Sequence, residues 1–248
     1  MPRLDPALPN NAALFLDLDG TLLEFAPTPG AVVVPEGLIP TLITLRERLG
    51  GALAIVSGRP VGQIDDLLRD APTAVAGEHG AAIRHTPNGP IERATVAPVP
   101  PEWRAVAEHL ATKHPGALFE PKIGSFVLHY RRAPEAAEAL RMALATLLDG
   151  HGDRFHLVAS AMAWEIRPLG ADKGAAVRVL MARAPFLGRR PVYVGDDVTD
   201  EDGIRAATDL GGKGYRVSEA FGKPADVRAW LESKAGAPPL DAAKGRGP

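Results

Sequence analysis

Hydrophobic positions along the chain fall into two alternating kinds of run. From Ala12 to Leu18 the residues are apolar up to Asp17, the mark of a strand buried on both faces of a parallel sheet. Leu38, Leu42, Leu45 and Leu49 then recur at helical spacing, after Pro35 and before Gly50-Gly51, which starts and stops an amphipathic helix. Ala52 to Val56 reads as a second buried strand ending at Ser57-Gly58-Arg59-Pro60, and Val61, Ile64, Leu67 and Leu68 make a further helical stripe. Strand, helix, strand, helix predicts a right-handed parallel α/β unit.

That rhythm returns late in the chain, with a helix over Ala175 to Ala182, a short strand over Pro191 to Val194 and another helix from Gly203 to Thr208. Between the two blocks the pattern changes. A Pro-rich stretch, VAPVPPEW, opens a segment in which Trp103, Val106 and Leu110 mark one helix and Leu140, Leu144, Leu147 and Leu148 a second. Strand-like runs follow each, around Ala117 to Tyr130 and Arg154 to Ile166. The expected organisation is a Rossmann-like core from residues 1–84 and 170–234, a small inserted α+β domain over 85–169, and a disordered Ala/Gly/Pro-rich tail over 235–248.

Composition narrows the functional classes. With 28 Lys+Arg against 30 Asp+Glu, the net charge of -2 gives no general attraction for nucleic acid or an anionic membrane. An anionic ligand therefore needs local cations. The chain has no cysteine, which excludes disulfides, thiolate metal sites and cysteine nucleophiles. MPRLDPALPNN lacks the apolar core of a secretory peptide and no segment is apolar for a membrane helix's length. A cytoplasmic monomer with a small-molecule substrate is expected.

The chemistry concentrates where strands end. Residues two apart in a strand point the same way, so Asp17 and Asp19 in LDLDGT can converge at the carboxyl end of the sheet, where open α/β folds bind ligands. A divalent cation would relieve their repulsion. An isolated Asp-Gly is usually only a turn, but an apolar strand running into DxDGT is far more specific. VYVGDDVTDED repeats the arrangement: Asp196 lies where a metal should sit, with Asp197 as ligand or support. Asp200, Glu201 and Asp202 are expected to favour the start of the following helix, with Asp200 also a possible support for the metal. Ser57 and its neighbouring amides could receive a phosphate oxygen or simply form a turn. Lys173 stands at a helix start, where a cation is disfavoured unless it serves an anion.

In order and context, DLDGT at 17–21, Ser57 in VSGR, Lys173 in DKG and GDDVTDED at 195–202 resemble the four motifs of the haloacid dehalogenase (HAD) superfamily of phosphohydrolases. VSGRP, AGEHGA, FEPK, HYR, WEIRP and GDDVTDED are similar to those of its trehalose-6-phosphate phosphatases. The resemblance implies a HAD core with an α+β cap that bends near residues 84 and 169, and Mg²⁺-dependent hydrolysis of trehalose 6-phosphate. In that reading Asp17 is the nucleophile and Asp19 the proton carrier. Mg²⁺ is held by Asp17, Asp196 and the backbone carbonyl of Asp19. Ser57 and Lys173 grip the phosphoryl group, Arg59, His79 and Gly80 line the core side of the substrate site, and Glu120, Lys122 and Glu165 of the cap hydrogen-bond sugar hydroxyls. Without the resemblance, the last three would be exposed polar residues on a sheet face. Rival expectations are another sugar phosphate, such as sucrose 6-phosphate or mannosyl-3-phosphoglycerate, and a sugar-phosphate sensor without catalysis.

Overall fold

Strand β1 (Ala12–Leu16) is wholly buried, and its two faces organise the larger of two units. The computed structural model describes residues 6–26, 31–122, 124–160 and 162–236. Among these, the larger unit takes the residues up to Arg93 and from Asp172 onward, and the smaller takes Ala94–Ala171.

β1 lies mid-sheet, paired in parallel with β2 (Leu53–Val56) on one side and β10 (Arg190–Gly195) on the other. β3 (Ala74–Gly77) extends the sheet beyond β2, and β11 (Lys213–Arg216) extends it beyond β10. Chain progression thus reverses at the β1/β10 boundary, the position where doubly wound sheets open a crevice for ligands. Ala12, Leu14 and Leu16 face one apolar layer with α1 (Leu38–Arg48), α2 (Val61–Leu68) and α8 (Pro224–Gly236). Ala13 and Phe15 face the other, with α5 (Lys173–Met181) and α6 (Asp200–Asp209). Phe15 is fully buried and stacks on Phe186 at 5.4 Å; truncating a core aromatic of this kind costs about 3–5 kcal/mol.

Four boundaries differ from expectation. β4 (Ala82–Arg84) and β5 (Ile91–Arg93) add an antiparallel hairpin to the sheet, so the larger unit runs to Arg93 rather than to residue 84 and resumes at Asp172 rather than at 170. α6 starts at Asp200, not Gly203, because the acidic first turn suits the positive end of a helix. α8 continues to Gly236, so Ala235 and Gly236 are helical; the rest of the tail lies outside the described residues.

In the smaller unit each strand-like run resolves into two strands: β6 (Leu118–Pro121) and β7 (Phe126–His129), then β8 (Phe155–Ser160) and β9 (Ala163–Pro168). All pair antiparallel, in the order β6-β7-β9-β8. Phe126, Leu128, Ile166 and Phe155 pack under α3 (Pro101–Lys113) and α4 (Ala137–Leu148), with Trp103 edge-on to Phe155 at 5.0 Å. The register Glu120↔Val127↔Glu165 puts both glutamates on the opposite face.

Candidate active site

Asp17 extends the β1 ladder by one bond, its N–H donating to the Val194 carbonyl at 2.9 Å. By strand alternation it continues the Ala13–Phe15 face, the one that α5 covers, and α5 begins at Lys173. The Lys173 Nζ donates to Asp17 Oδ1 and to Asp200 Oδ1, each at 2.7 Å, with all three side chains at most 5% exposed. The lysine at a helix start thus serves two of the protein's own carboxylates. Burial works against its charge, but Asp17 and Asp200 together hold its pKa above the usual lysine value. Asp172 caps the same helix by accepting the Ala175 N–H at 2.7 Å.

From the adjacent loop, oxygens of Asp196 and Asp200 come within 4.8 Å of one another and of Asp17. The Thr21 hydroxyl lies 3.3 Å from both Asp17 Oδ2 and Asp196 Oδ1. Gly20 permits this approach: at φ +79°, a Cβ there would stand 2.1 Å from Asp196 Oδ2. Three carboxylates around one ammonium leave the cluster short of positive charge. Burial first, then the Asp200 charge, push Asp17 well above the ordinary carboxylate value and Asp196 up to about 6. A buried, oxygen-only donor set with excess negative charge fits a hard divalent cation.

Asp200 does not cap its own helix through its side chain. Its Oδ1 accepts from Lys173 and, at 2.6 Å, from the Tyr193 hydroxyl; its Oδ2 accepts the amides of Asp196 and Asp197 at 3.1 and 3.0 Å. It ties the acidic loop to α5 and β10, and burial is what makes that network necessary. Glu201 pairs with Arg216 and Asp202 with Arg205. Asp197 accepts its neighbour Val198's amide at 2.7 Å and so shapes the turn.

Asp19 leaves the strand direction altogether. Its carboxylate faces Arg59, with Nε to Oδ2 at 2.6 Å and Nη2 to Oδ1 at 2.7 Å, and it is not in the carboxylate cluster. Asp17 and Asp19 therefore do not form the converging pair that strand alternation suggests, because β1 ends at Leu16 and residues 18–23 turn back on themselves. Ser57 is buried at the end of β2, and its Oγ accepts the Arg59 amide at 3.2 Å, leaving its proton to donate elsewhere. Glu78 and His79 occupy the left-handed region, at φ 54° and 57°, in a 3-10 turn beside this loop. Gly80 presents no side chain; a Cβ there would lie 2.4 Å from the Asp172 carbonyl, so it lets the turn sit against the start of α5.

A family model described as trehalose-phosphatase matches residues 15–223. The chain belongs to the trehalose-phosphatase family. A trehalose-6-phosphate phosphatase of Escherichia coli is 37% identical over 236 residues, covering 92% of this chain and 88% of that protein. A probable trehalose-phosphate phosphatase of Sinorhizobium fredii is 39% identical, covering 86% of this chain and 82% of that protein. Among solved structures, the C-terminal domain of C. albicans trehalose-6-phosphate phosphatase superposes with a TM-score of 0.74 at 19% identity, covering 92% of this chain and 95% of that one. A haloacid dehalogenase-like hydrolase from Bacteroides thetaiotaomicron does so at 0.64 and 15%, covering 89% of this chain and 98% of that one. These neighbours share the α/β fold, with its parallel-rich sheet.

For a trehalose-phosphatase family member, the smaller unit's polar residues are the remaining question. Glu165 lies mid-strand in β9, not at a strand end, and is only 3% exposed; its Oε1 accepts from Ser125 Oγ at 2.8 Å and lies 3.5 Å from Lys122 Nζ. Lys122 follows β6, and its amide donates to the Ser125 carbonyl at 3.1 Å. Glu120 pairs with His129 at 2.7 Å, a hydrogen bond that lowers the Glu120 pKa. Sequence alone assigns no role to Ser125 and no polar contact to Thr21 of DLDGT, Tyr193 of VYVGDD or His129 of HYR. Tyr193 did carry a signal: a phenol inside an apolar strand must find a polar partner. The bonds of Ser125 and His129 depend on strand pairing, which local spacing does not show.

Proposed function

We propose that this trehalose-phosphatase family member hydrolyses trehalose 6-phosphate to trehalose and phosphate through an aspartyl-phosphate on Asp17. The observation that carries the reading is the buried Asp17 carboxylate, fixed by Lys173 beside Asp196 at the carboxyl ends of adjacent parallel strands. A carboxylate Oδ of Asp17 attacks phosphorus, the bond from phosphorus to the sugar oxygen breaks, and Asp19 gives that oxygen a proton. Asp19 then takes a proton from water, whose oxygen attacks the acyl phosphate; phosphate leaves and Asp17 is restored. Lys173 favours the ionised form of Asp17 against burial and orients it, and Ser57 donates its proton to a phosphoryl oxygen. Asp17, Asp196 and the Asp19 backbone carbonyl would hold Mg²⁺, which when bound offsets the repulsion between carboxylates and phosphate. Asp200, with every side-chain oxygen already hydrogen-bonded, supports this set from behind.

Glu120, Lys122 and Glu165 are assigned to the sugar hydroxyls, on the support of their common polar region and the paired partners they could exchange for a ligand. Among the described residues no helix is long and apolar enough to cross a membrane; we assign the activity to a cytoplasmic monomer. The test is phosphate release from trehalose 6-phosphate, sucrose 6-phosphate, glucose 6-phosphate and mannosyl-3-phosphoglycerate, with and without Mg²⁺. Trehalose 6-phosphate should be preferred, and Asp17→Asn should bind it without turnover. Preference for another ester displaces the substrate, and turnover by Asp17→Asn displaces the nucleophile.

A further inference from the structure

Arg59 is held in place before any substrate arrives. Its amide donates to Ser57 Oγ at 3.2 Å, its carbonyl accepts the Glu78 amide at 2.9 Å, and the Ser57 carbonyl accepts the His79 amide at 3.0 Å. Glu78 and His79 reach those bonds in a left-handed conformation that side chains seldom adopt, at φ 54° and 57°. Strain of this kind persists only where surrounding structure imposes it, and it gathers at functional sites. From this fixed base the guanidinium engages both oxygens of Asp19, at 2.6 and 2.7 Å. The arginine side chain is 12% exposed and that of Asp19 28%. Asp19 stands outside the regular strand and near an acidic cluster that would repel it, so its rotamer needs a support that its own backbone does not give. A two-point fork on a planar carboxylate sets both position and plane, and it leaves each oxygen a lone pair that can carry the proton given to the sugar oxygen or accept one from a water.

We infer that Arg59 is a positioning residue for Asp19: the guanidinium holds the proton-carrying carboxylate in one orientation, a task separate from contact with the substrate. The inference rests on Asp19 as proton carrier, the role assigned under Proposed function. Lysine cannot reproduce the fork, because its ammonium is a point charge.

Steady-state kinetics on trehalose 6-phosphate and on p-nitrophenyl phosphate, whose leaving group needs little protonation, separate the possibilities. Arg59→Lys should lower kcat on the sugar phosphate by about 10- to 100-fold, the scale of a misplaced catalytic group. KM should change by less than about threefold, and kcat/KM on the aryl phosphate, which reports formation of the aspartyl-phosphate and not its hydrolysis, should fall much less. In an Asp19→Asn background, Arg59→Lys should cost less than about a further twofold, since both changes remove the same function. Arg59→Ala should regain part of its kcat when free guanidinium is added, a recovery that misfolded protein would not show. A KM raised about tenfold on both esters with kcat intact, or losses that multiply in the double variant, would overturn the inference and make Arg59 a substrate contact alone. Full activity of Asp19→Asn on trehalose 6-phosphate would instead remove the proton carrier itself, and the inference with it.

Discussion

Among the described residues two polar clusters contrast with one another, one in each unit, and they pair their carboxylates in different ways. In the larger unit, Asp17, Asp196 and Asp200 crowd around Lys173, and two of these carboxylates are pushed above the ordinary range. In the smaller unit, Glu165 is just as buried but has a hydroxyl donor and a cation of its own, while Glu120 has His129. The first cluster is poised: full ionisation of its carboxylates is opposed by burial and mutual repulsion, which further positive charge would relieve, and in such a site electrostatics can act on a developing transition state. In the second each carboxylate has a partner of its own, and the partly exposed members, Lys122 at 30% and Glu120 at 46%, could exchange theirs for ligand hydroxyls at little cost. Damage to the first should therefore appear in kcat and stability, and damage to the second in KM.

The sharpest break in that contrast is Lys173→Met, which keeps the side chain's length and removes its charge. Asp17 and Asp200 lose the ammonium they share, and unpairing a buried ion costs about 3–5 kcal/mol. Phosphate release should fall by about 10³-fold or more, and the thermal midpoint should drop. Turnover within about tenfold of wild type would show that the lysine only balances charge in the fold.

Glu165→Gln sharpens the other side. The amide is isosteric but loses a charged acceptor worth about 1.5–3 kcal/mol. KM for trehalose 6-phosphate should rise by about 10- to 100-fold with kcat within about threefold. A collapse of kcat at unchanged KM would move Glu165 into the chemistry.

The same contrast explains what the sequence could reveal. β1, α1, β2, α2 and β10 are set by local apolar runs, and the strand-end acids Asp17 and Asp196 come directly after β1 and β10. The turn of Asp19 toward Arg59 depends on where β1 stops, and local spacing is blind to that. Asp200 looked like a helix-start acid because three acids fill that turn; its burial under Lys173 and Tyr193 is a tertiary fact. β4 and β5 have only 3 residues each, and β5 is exposed along its length, so neither presents a readable apolar run. The Glu165–Ser125 bond needs the β7/β9 register, which no run of residues announces.

The smallest effect expected concerns protons. Burial, then the Asp200 charge, raises the Asp196 carboxyl from the ordinary 3.8 to about 6. The metal-free fold thus binds this proton more tightly than the unfolded chain does. The stability it contributes is complete below about pH 4 and is lost as pH rises through about 6. A divalent cation has the opposite preference, because it binds the deprotonated carboxylate. Below about pH 6 its apparent affinity should fall by up to about tenfold per pH unit. The increase in thermal midpoint on adding Mg²⁺ should accordingly be a few degrees larger at about pH 7.5 than at about pH 5, and Asp196→Asn should flatten the difference. Equal increments at both values in the wild-type protein would mean that the metal is held without Asp196, and the poised cluster would then be a feature of folding rather than of catalysis.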